Sequence, residues 1–392
     1  MQAGTDEPVA ATRAVAAATA ALAVGAVPLF LVGALAGSLE EALGFGPGGT
    51  GAALAVFFVV GGLSAVPAGW VTERIGAPAA MRAGVAISGS SGLAIAVVVG
   101  SWLELAIALG VAGIAIAFVD TGASGWFAAA VPDDRHGAAF GVKEASVPAA
   151  SLLAGLSIPL LADRLGWESA FLLGALLAPV VWFVVPSSSA PVAPAPVGEG
   201  GRPRYGALVV FAAGIAFGTA SATAAATFLV PAFEDAGWSA ADAGILLSVA
   251  SVAAIAGRLV LGWLSDRRAG LVWALLVATM TTGGAAAIGL ALADGGALGT
   301  AAAVLVLGGG WAWTGLAFLA MLQVTRDAPA VGAGIVLAGL SLGGAAGPAT
   351  FGALSVGSTA TAWAAVAVSF LLGAALTALA RRWEQRARPA PT

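Results

Sequence analysis

The chain has 392 residues, of which 60% are hydrophobic and only 9% charged, with a mean hydropathy of +0.99 and a formal net charge of −4. So little charge excludes a soluble domain of this length. With no cysteine and a single histidine, His136, the chain offers no disulfide framework and no thiolate or His-rich metal site, so neither metal nor cofactor is expected.

Residues 1–13 begin short and polar (Asp6, Glu7, Pro8) with no cleavage pattern, and are expected to form a cytoplasmic tail. An apolar span of about 20 residues can cross a hydrocarbon core of roughly 30 Å. Such spans fall at 14–36, 51–71, 79–100, 103–131, 137–162, 168–186, 206–232, 241–264, 270–293, 297–323, 331–354 and 360–382. Six lie on each side of residues 187–204, a Pro/Ser/Gly-rich linker. The expectation is an all-α integral membrane protein of twelve transmembrane helices. Its domains would be 14–186 and 205–383, with a second tail at 384–392.

Cation placement sets the orientation. Thirteen arginines (13, 74, 82, 135, 202, 204, 267, 268, 326, 381, 382, 386 and 388) fall on the side of the termini. Only Arg164 falls opposite, where the loops carry Glu40, Glu41, Glu234, Asp235, Asp242 and Asp294. Both termini and the linker are therefore expected to face the cytoplasm, with the protein in the cytoplasmic (inner) membrane.

Residues Gly69-Trp70-Val71-Thr72-Glu73-Arg74 and Gly262-Trp263-Leu264-Ser265-Asp266-Arg267 match position by position, 193 residues apart. A near-identical sextet at half the chain length points to a duplicated protein. Each copy reads as a tight polar turn between two spans, its hydroxyl and carboxylate suited to capping helix N-termini. Here the chain resembles the major facilitator superfamily of secondary transporters, whose loop after the second helix reads roughly Gly-x-x-x-Asp-Arg-x-Gly followed by two basic residues. Gly69, Glu73, Arg74 and Gly76 fit with Glu for Asp, but Ala77-Pro78 replace the basic pair. The second copy offers Gly262, Asp266, Arg267 and Arg268. Gly166-Trp167-Glu168-Ser169-Ala170-Phe171 resembles the usual start of the sixth helix, and Gly347-Pro348 with Gly352 resembles the eleventh. Pro348 there serves either gating or static fit.

The resemblance implies two six-helix bundles of three-helix repeats that rock about a central site. It also implies that the repeated stretches act as cytoplasmic latches, Glu73 beside the start of the eleventh helix and Asp266 beside the start of the fifth. No nucleophile–base pair or ligand cluster suggests an enzyme.

An ionisable group inside a span costs on the order of 2.5–3.5 kcal/mol, so it needs a partner, water or a function. Asp120, Lys143, Glu144 and Arg258 are such groups, the last three roughly 9 Å deep. In the family fold the fifth and eighth helices face one another, which would bring Lys143 and Arg258 to one level. Three readings stand: contact with an anionic substrate, salt bridges that lock a closed state, or snorkelling to the interface. Asp120 and Glu144 would balance the cations, and either could carry a coupling proton. Trp311 and Trp313 lie too deep for an interfacial belt and either stack on a planar substrate or pack between helices. Gln323 is the only amide in a span and asparagine is absent, which disfavours sugars. Resemblance of Gly257-Arg258…Gly262…Asp266-Arg267 to oxalate/formate and monocarboxylate carriers favours a small organic anion. Multidrug or metabolite efflux by proton antiport is the second reading. It is weakened because the fourth helix has Asp120 with no Arg and the fifth lacks the Gly-Pro-x-x-Gly-Gly stretch of drug antiporters. The expected partners are a small-molecule substrate, protons as a candidate coupling ion and the lipid bilayer, with no nucleic acid; the protein is expected to be monomeric.

Overall fold

In hydrocarbon a backbone must satisfy its own N–H and C=O groups, so long apolar runs become helices. The computed structural model describes residues 6–130, 136–186, 205–293, 295–324 and 329–386, and no strand occurs among them. The first half comprises α1 (Asp6–Ala34), α2 (Ala36–Leu43), α3 (Pro47–Ile75), α4 (Ala77–Val97), α5 (Trp102–Ala130), α6 (His136–Ser157), α7 (Asp163–Leu165) and α8 (Glu168–Val184). The second comprises α9 (Tyr205–Asp235), α10 (Ala240–Arg267), α11 (Val272–Leu292), α12 (Ala297–Gly308), α13 (Thr314–Val324), α14 (Pro329–Ser355) and α15 (Thr359–Arg386).

Among the described residues, ten helices are long and apolar enough to cross a membrane. The other two expected spans are the 17-residue α8 and the pair α12–α13, so the twelve-span reading holds in outline. Three local features depart from it. The tenth span is broken after Gly308, because glycines there let the backbone press against neighbours. A Cβ on Gly310 would lie 2.5 Å from Gly283 Cα, and one on Gly257 would lie 2.6 Å from the Gly308 carbonyl oxygen. The fifth span passes through a π-helical turn, Ile158–Ala162, where Pro159 has no N–H to give the regular ladder. The stretch with Glu40 and Glu41 is the short helix α2, closed by Gly44 at φ 70°.

Helix pairing repeats between the halves. Helix α1 packs on α6 as α9 packs on α14, α3 on α5 as α10 on α12, and α4 on α8 as α11 on α15. The two bundles meet along α6–α10 and the equivalent pair α14–α3, with α1 touching α9. This is the pairing a twofold pseudo-repeat requires.

The sextets need a correction: they are not turns but the last turns of α3 and α10, and the connections beyond them are minimal. After α3 a single residue, Gly76 at φ 87°, reverses the chain before α4. The hydroxyls do not cap either. Thr72 Oγ1 donates to Ala68 O and Ser265 Oγ donates to Gly262 O, each bonding its own helix. Both sextets lie at the same end of the bundle, called here the basic end; α2 and the end of α9 mark the opposite, acidic end. The linker 187–204, the tail residues 1–5 and 387–392, and Arg135, Arg202, Arg204, Asp294, Arg326 and Arg388 lie outside the described residues.

Candidate substrate site between the bundles

The seam between α6 and α10 is built from small residues. A Cβ on Gly262 would lie 2.5 Å from Gly137 O, one on Gly141 would lie 2.7 Å from Arg258 O, and one on Gly155 would lie 2.5 Å from Gly244 O. Ser251 Oγ donates to Ser151 Oγ at 3.1 Å across the same seam. Such close backbone approach, which only small side chains permit, holds the two bundles together from the basic end to the acidic end.

At the basic end of the seam, Asp266 accepts hydrogen bonds from the Gly137 and Ala138 N–H groups at 2.7 and 2.8 Å. A carboxylate of one bundle thus caps the first turn of a helix in the other, where free N–H groups and the helix dipole favour negative charge. Arg267 lies over the Trp263 ring at 4.0 Å. The first copy differs: Glu73 and Arg74 are exposed at the end of α3, and nothing lies within 4 Å of a Cβ built on Gly69. The expected counterpart of Glu73 at the start of the eleventh helix falls on residues 325–328 and the side chains of 329–334, outside the described residues.

Two turns further in, the buried charges come together. Lys143 and Arg258 are each 2% exposed, so neither snorkels. Lys143 Nζ sits 2.9 Å from Asp120 Oδ1 on α5 and 3.6 Å from Glu144 Oε1. It also lies 5.0 Å from the centre of the Phe318 ring, which stacks on Phe140 across the bundle boundary. Arg258 is held differently. Its Nε donates to Thr314 Oγ1 at 3.1 Å, its guanidinium lies 4.7 Å over the Trp311 ring, and its buried Nη1 has no hydrogen-bond partner. Trp311 in turn touches Phe30 of α1, with ring centres 5.7 Å apart. The site therefore presents one cation saturated by carboxylates and one with an open donor, walled by Phe30, Phe140, Trp311 and Phe318.

The break in the tenth span produces this arrangement. Trp311 lies in the unwound stretch and Thr314 is the first residue of α13 beyond it, so the two reach Arg258 from beside the break. Trp313 separates from its neighbour: it is fully buried inside the second bundle, packed against Gly218. Its Nε1 has no partner. Gln323 lies away from the cations, its Oε1 accepting from Trp273 Nε1 at 2.9 Å. Four residues the sequence reading passed over belong to the site: Phe30, Phe140, Thr314 and Phe318. Only Thr314, beside the Gly308–Gly310 run, had a local signal.

At the acidic end a cleft of about 420 Å³ lies between the bundles, lined by Glu40, Glu41, Glu234, Asp235 and their neighbours. Thr50 Oγ1 donates to Glu40, and Thr359 Oγ1 donates to Asp235 Oδ2 at 3.3 Å. Burial pushes the Glu40 carboxyl above the usual carboxylate range; the Thr50 hydrogen bond opposes the rise and Asp235 adds to it.

A duplicated, membrane-spanning helical bundle with buried ionisable groups on the seam between its halves defines a secondary transporter architecture. The Major Facilitator Superfamily model matches residues 10–348, and the chain belongs to that superfamily. A search of the curated proteins finds no match. Among solved structures, the chain is similar to a bacterial homologue of the human lysosomal transporter Spinster in an inward-facing, unoccupied conformation. The TM-score is 0.69 at 16% identity, covering 97% of this chain and 99% of that one. It is also similar to the E. coli fucose:proton symporter FucP, with a TM-score of 0.65 at 16% identity, covering 93% and 98%. The protein is a multi-pass membrane transporter of this fold.

Proposed function

We propose that the protein moves a small organic anion across the cytoplasmic membrane by alternating access, with its basic end and both termini on the cytoplasmic side. The observation that supports this reading most is Arg258. A buried guanidinium with an unsatisfied donor is strongly unfavourable unless something completes it, and a carboxylate matches its planar fork. Lys143 cannot play that part unaided, because Asp120 and Glu144 already surround it. The aromatic walls suit an apolar or planar body on the anion, and the Trp311 face keeps the guanidinium in place. In this reading Asp266 is the latch that closes the cytoplasmic end, and Glu73 is its counterpart in the other half. Gln323 and Trp313 support the second bundle.

The test is counterflow in proteoliposomes loaded with a panel of carboxylates and, separately, of cationic drugs. Exchange of at least one carboxylate that Arg258→Ala abolishes, with the variant still inserted and monodisperse, is expected. Exchange of cationic drugs alone would replace this reading with efflux by proton antiport.

A further inference from the structure

A groove of about 650 Å³ lies on the lipid-facing side of the second bundle, with α9 as its floor and α14 and α15 as its walls. That volume is within the range of small-molecule sites, roughly 300–1,000 Å³. Small residues make the space: Ala220 and Ala224 on α9, Ala346 on α14, Ala364 and Ala365 on α15. Exposed Leu342, Val368 and Leu372 flank it, and no charged residue lines it. Two of its hydroxyls are already spent. Ser221 Oγ donates to Phe217 O at 3.0 Å and to Val366 O at 3.1 Å, and Ser369 Oγ donates to Phe217 O at 2.9 Å. These bonds tie α15 to α9, so one wall is fixed to the floor.

Position and length select the occupant. The groove runs from Thr350 and Thr361, close to the acidic ends of α14 and α15, to Leu342 and Leu372. Leu342 to Thr350 rises about 12 Å along α14 and Thr361 to Leu372 about 17 Å along α15, at about 1.5 Å per residue. Half of a hydrocarbon core of roughly 30 Å is about 15 Å. The groove is therefore one leaflet deep and stops at mid-membrane. A partner's membrane-crossing helix would need a track twice as long. Water does not settle in an apolar groove without polar partners, and an unfilled one forfeits packing contacts. A hydrocarbon chain anchored at the interface meets every one of these conditions.

We propose that the groove binds one acyl chain of a phospholipid from the leaflet at the acidic end. Its ester end lies at Thr350 and Thr361 and its methyl end against Leu342 and Leu372. The chain then stands behind α14, whose other side faces α3: there Phe58 presses on Gly344, and Gly51 on the Pro348 carbonyl. Pro348 has no N–H for the Gly344 carbonyl, so α14 is least self-supporting where the groove flanks it. A seated chain braces that stretch from the lipid side. The site does not depend on which solute the protein carries.

The test uses the full chain, purified in detergent, stripped of lipid and given increasing amounts of phosphatidylcholine with a diazirine midway along one acyl chain. After irradiation, adducts are mapped by peptide mass spectrometry. Saturable labelling of residues 342–350 and 361–372, at one lipid per protein, is expected. Excess unlabelled phosphatidylcholine should suppress it, and the Tm should rise and level off over the same concentrations. Ala346→Phe and Ala365→Phe, made singly to fill the groove, are expected to lose these adducts and the Tm rise while scattered labelling of other lipid-facing helices persists. Leu298→Phe, exposed on α12, is expected to behave as wild type. Non-saturable labelling spread evenly over the lipid-facing helices overturns the proposal, because that is ordinary solvation by lipid. So does unchanged groove labelling in both filled variants. Competition by phenylpyruvate in place of phosphatidylcholine would give the groove to the cargo, and a dimeric sample with an unlabelled groove would give it to a second copy; either overturns the proposal. If neither variant folds, the saturation, stoichiometry and location of labelling in wild type decide.

Discussion

The contact between Asp266 and the first turn of α6 lends itself to a quantitative test, because one side chain joins the two bundles at the basic end. Asp266→Ala removes two charge-assisted hydrogen bonds, at 2.7 and 2.8 Å, and an anion from a helix N-terminus. Each such bond is worth about 1.5–3 kcal/mol where water is excluded. The Ala138 bond is exposed, so water replaces much of it, and a total near 2 kcal/mol follows for the closed state. At about 1.4 kcal/mol per factor of ten, the ratio of open to closed basic end shifts roughly 30-fold. The chain has no cysteine, so spin labels can be placed at will. Ile75 and Leu271, one per bundle at this end, are 47% and 37% exposed and suit labelling. Pulsed electron spin resonance on Ile75→Cys/Leu271→Cys is expected to show a longer-distance population that grows when Asp266→Ala is added, with Asp266→Asn intermediate because it keeps one acceptor. An unchanged distance distribution with unchanged transport would refute the latch.

Other outcomes follow from the same geometry. Gly262→Val adds a Cβ 2.5 Å from Gly137 O and should force the seam apart; overpacking of this kind costs about 1–3 kcal/mol, read as a lower Tm and reduced counterflow. Arg258→Lys keeps the charge but loses the fork, the Thr314 bond and the stacking on Trp311; about tenfold or greater loss of anion exchange is expected. Gln323→Ala should cost about 1 kcal/mol through the lost Trp273 bond while substrate affinity is unchanged. At the acidic end the folded-state pKa of Glu40 is raised, so protonation stabilises the packed form. That gain is complete below about pH 4 and is lost as pH rises through the raised pKa. The Tm should therefore fall across that window, and Glu40→Gln should remove this part of the fall.

Much of the fold was legible because a membrane imposes its own rule: about 20 apolar residues per crossing, and cations on one side. The duplicated sextet added the relation between halves. Its secondary structure was misread because Thr72, Ser265, Glu73 and Asp266 look like turn residues, yet helices α3 and α10 run through them and stop only at Gly76 and Arg268. The break at residues 309–313 was hidden because a glycine run inside an apolar span is compatible with an intact helix; contacts with Gly283 and Gly257 decide it. The charged members of the site announced themselves by their cost in the membrane. Phe30, Phe140 and Phe318 could not, since an aromatic residue in an apolar run looks the same whether it faces lipid, core or cargo. The glycine seam was equally silent: 56 glycines make any spacing common, and only the paired helix shows which of them touch.

The central claim is that the two bundles separate along α6 and α10 in each cycle to carry a solute past Lys143 and Arg258. Ser151 and Ser251 meet across that seam at 3.1 Å, and Ser151→Cys/Ser251→Cys in a chain without other cysteines would form a crosslink between bundles. Counterflow in proteoliposomes should stop when this pair is oxidised and resume on reduction. Undiminished exchange with the crosslink quantitatively formed would contradict the account.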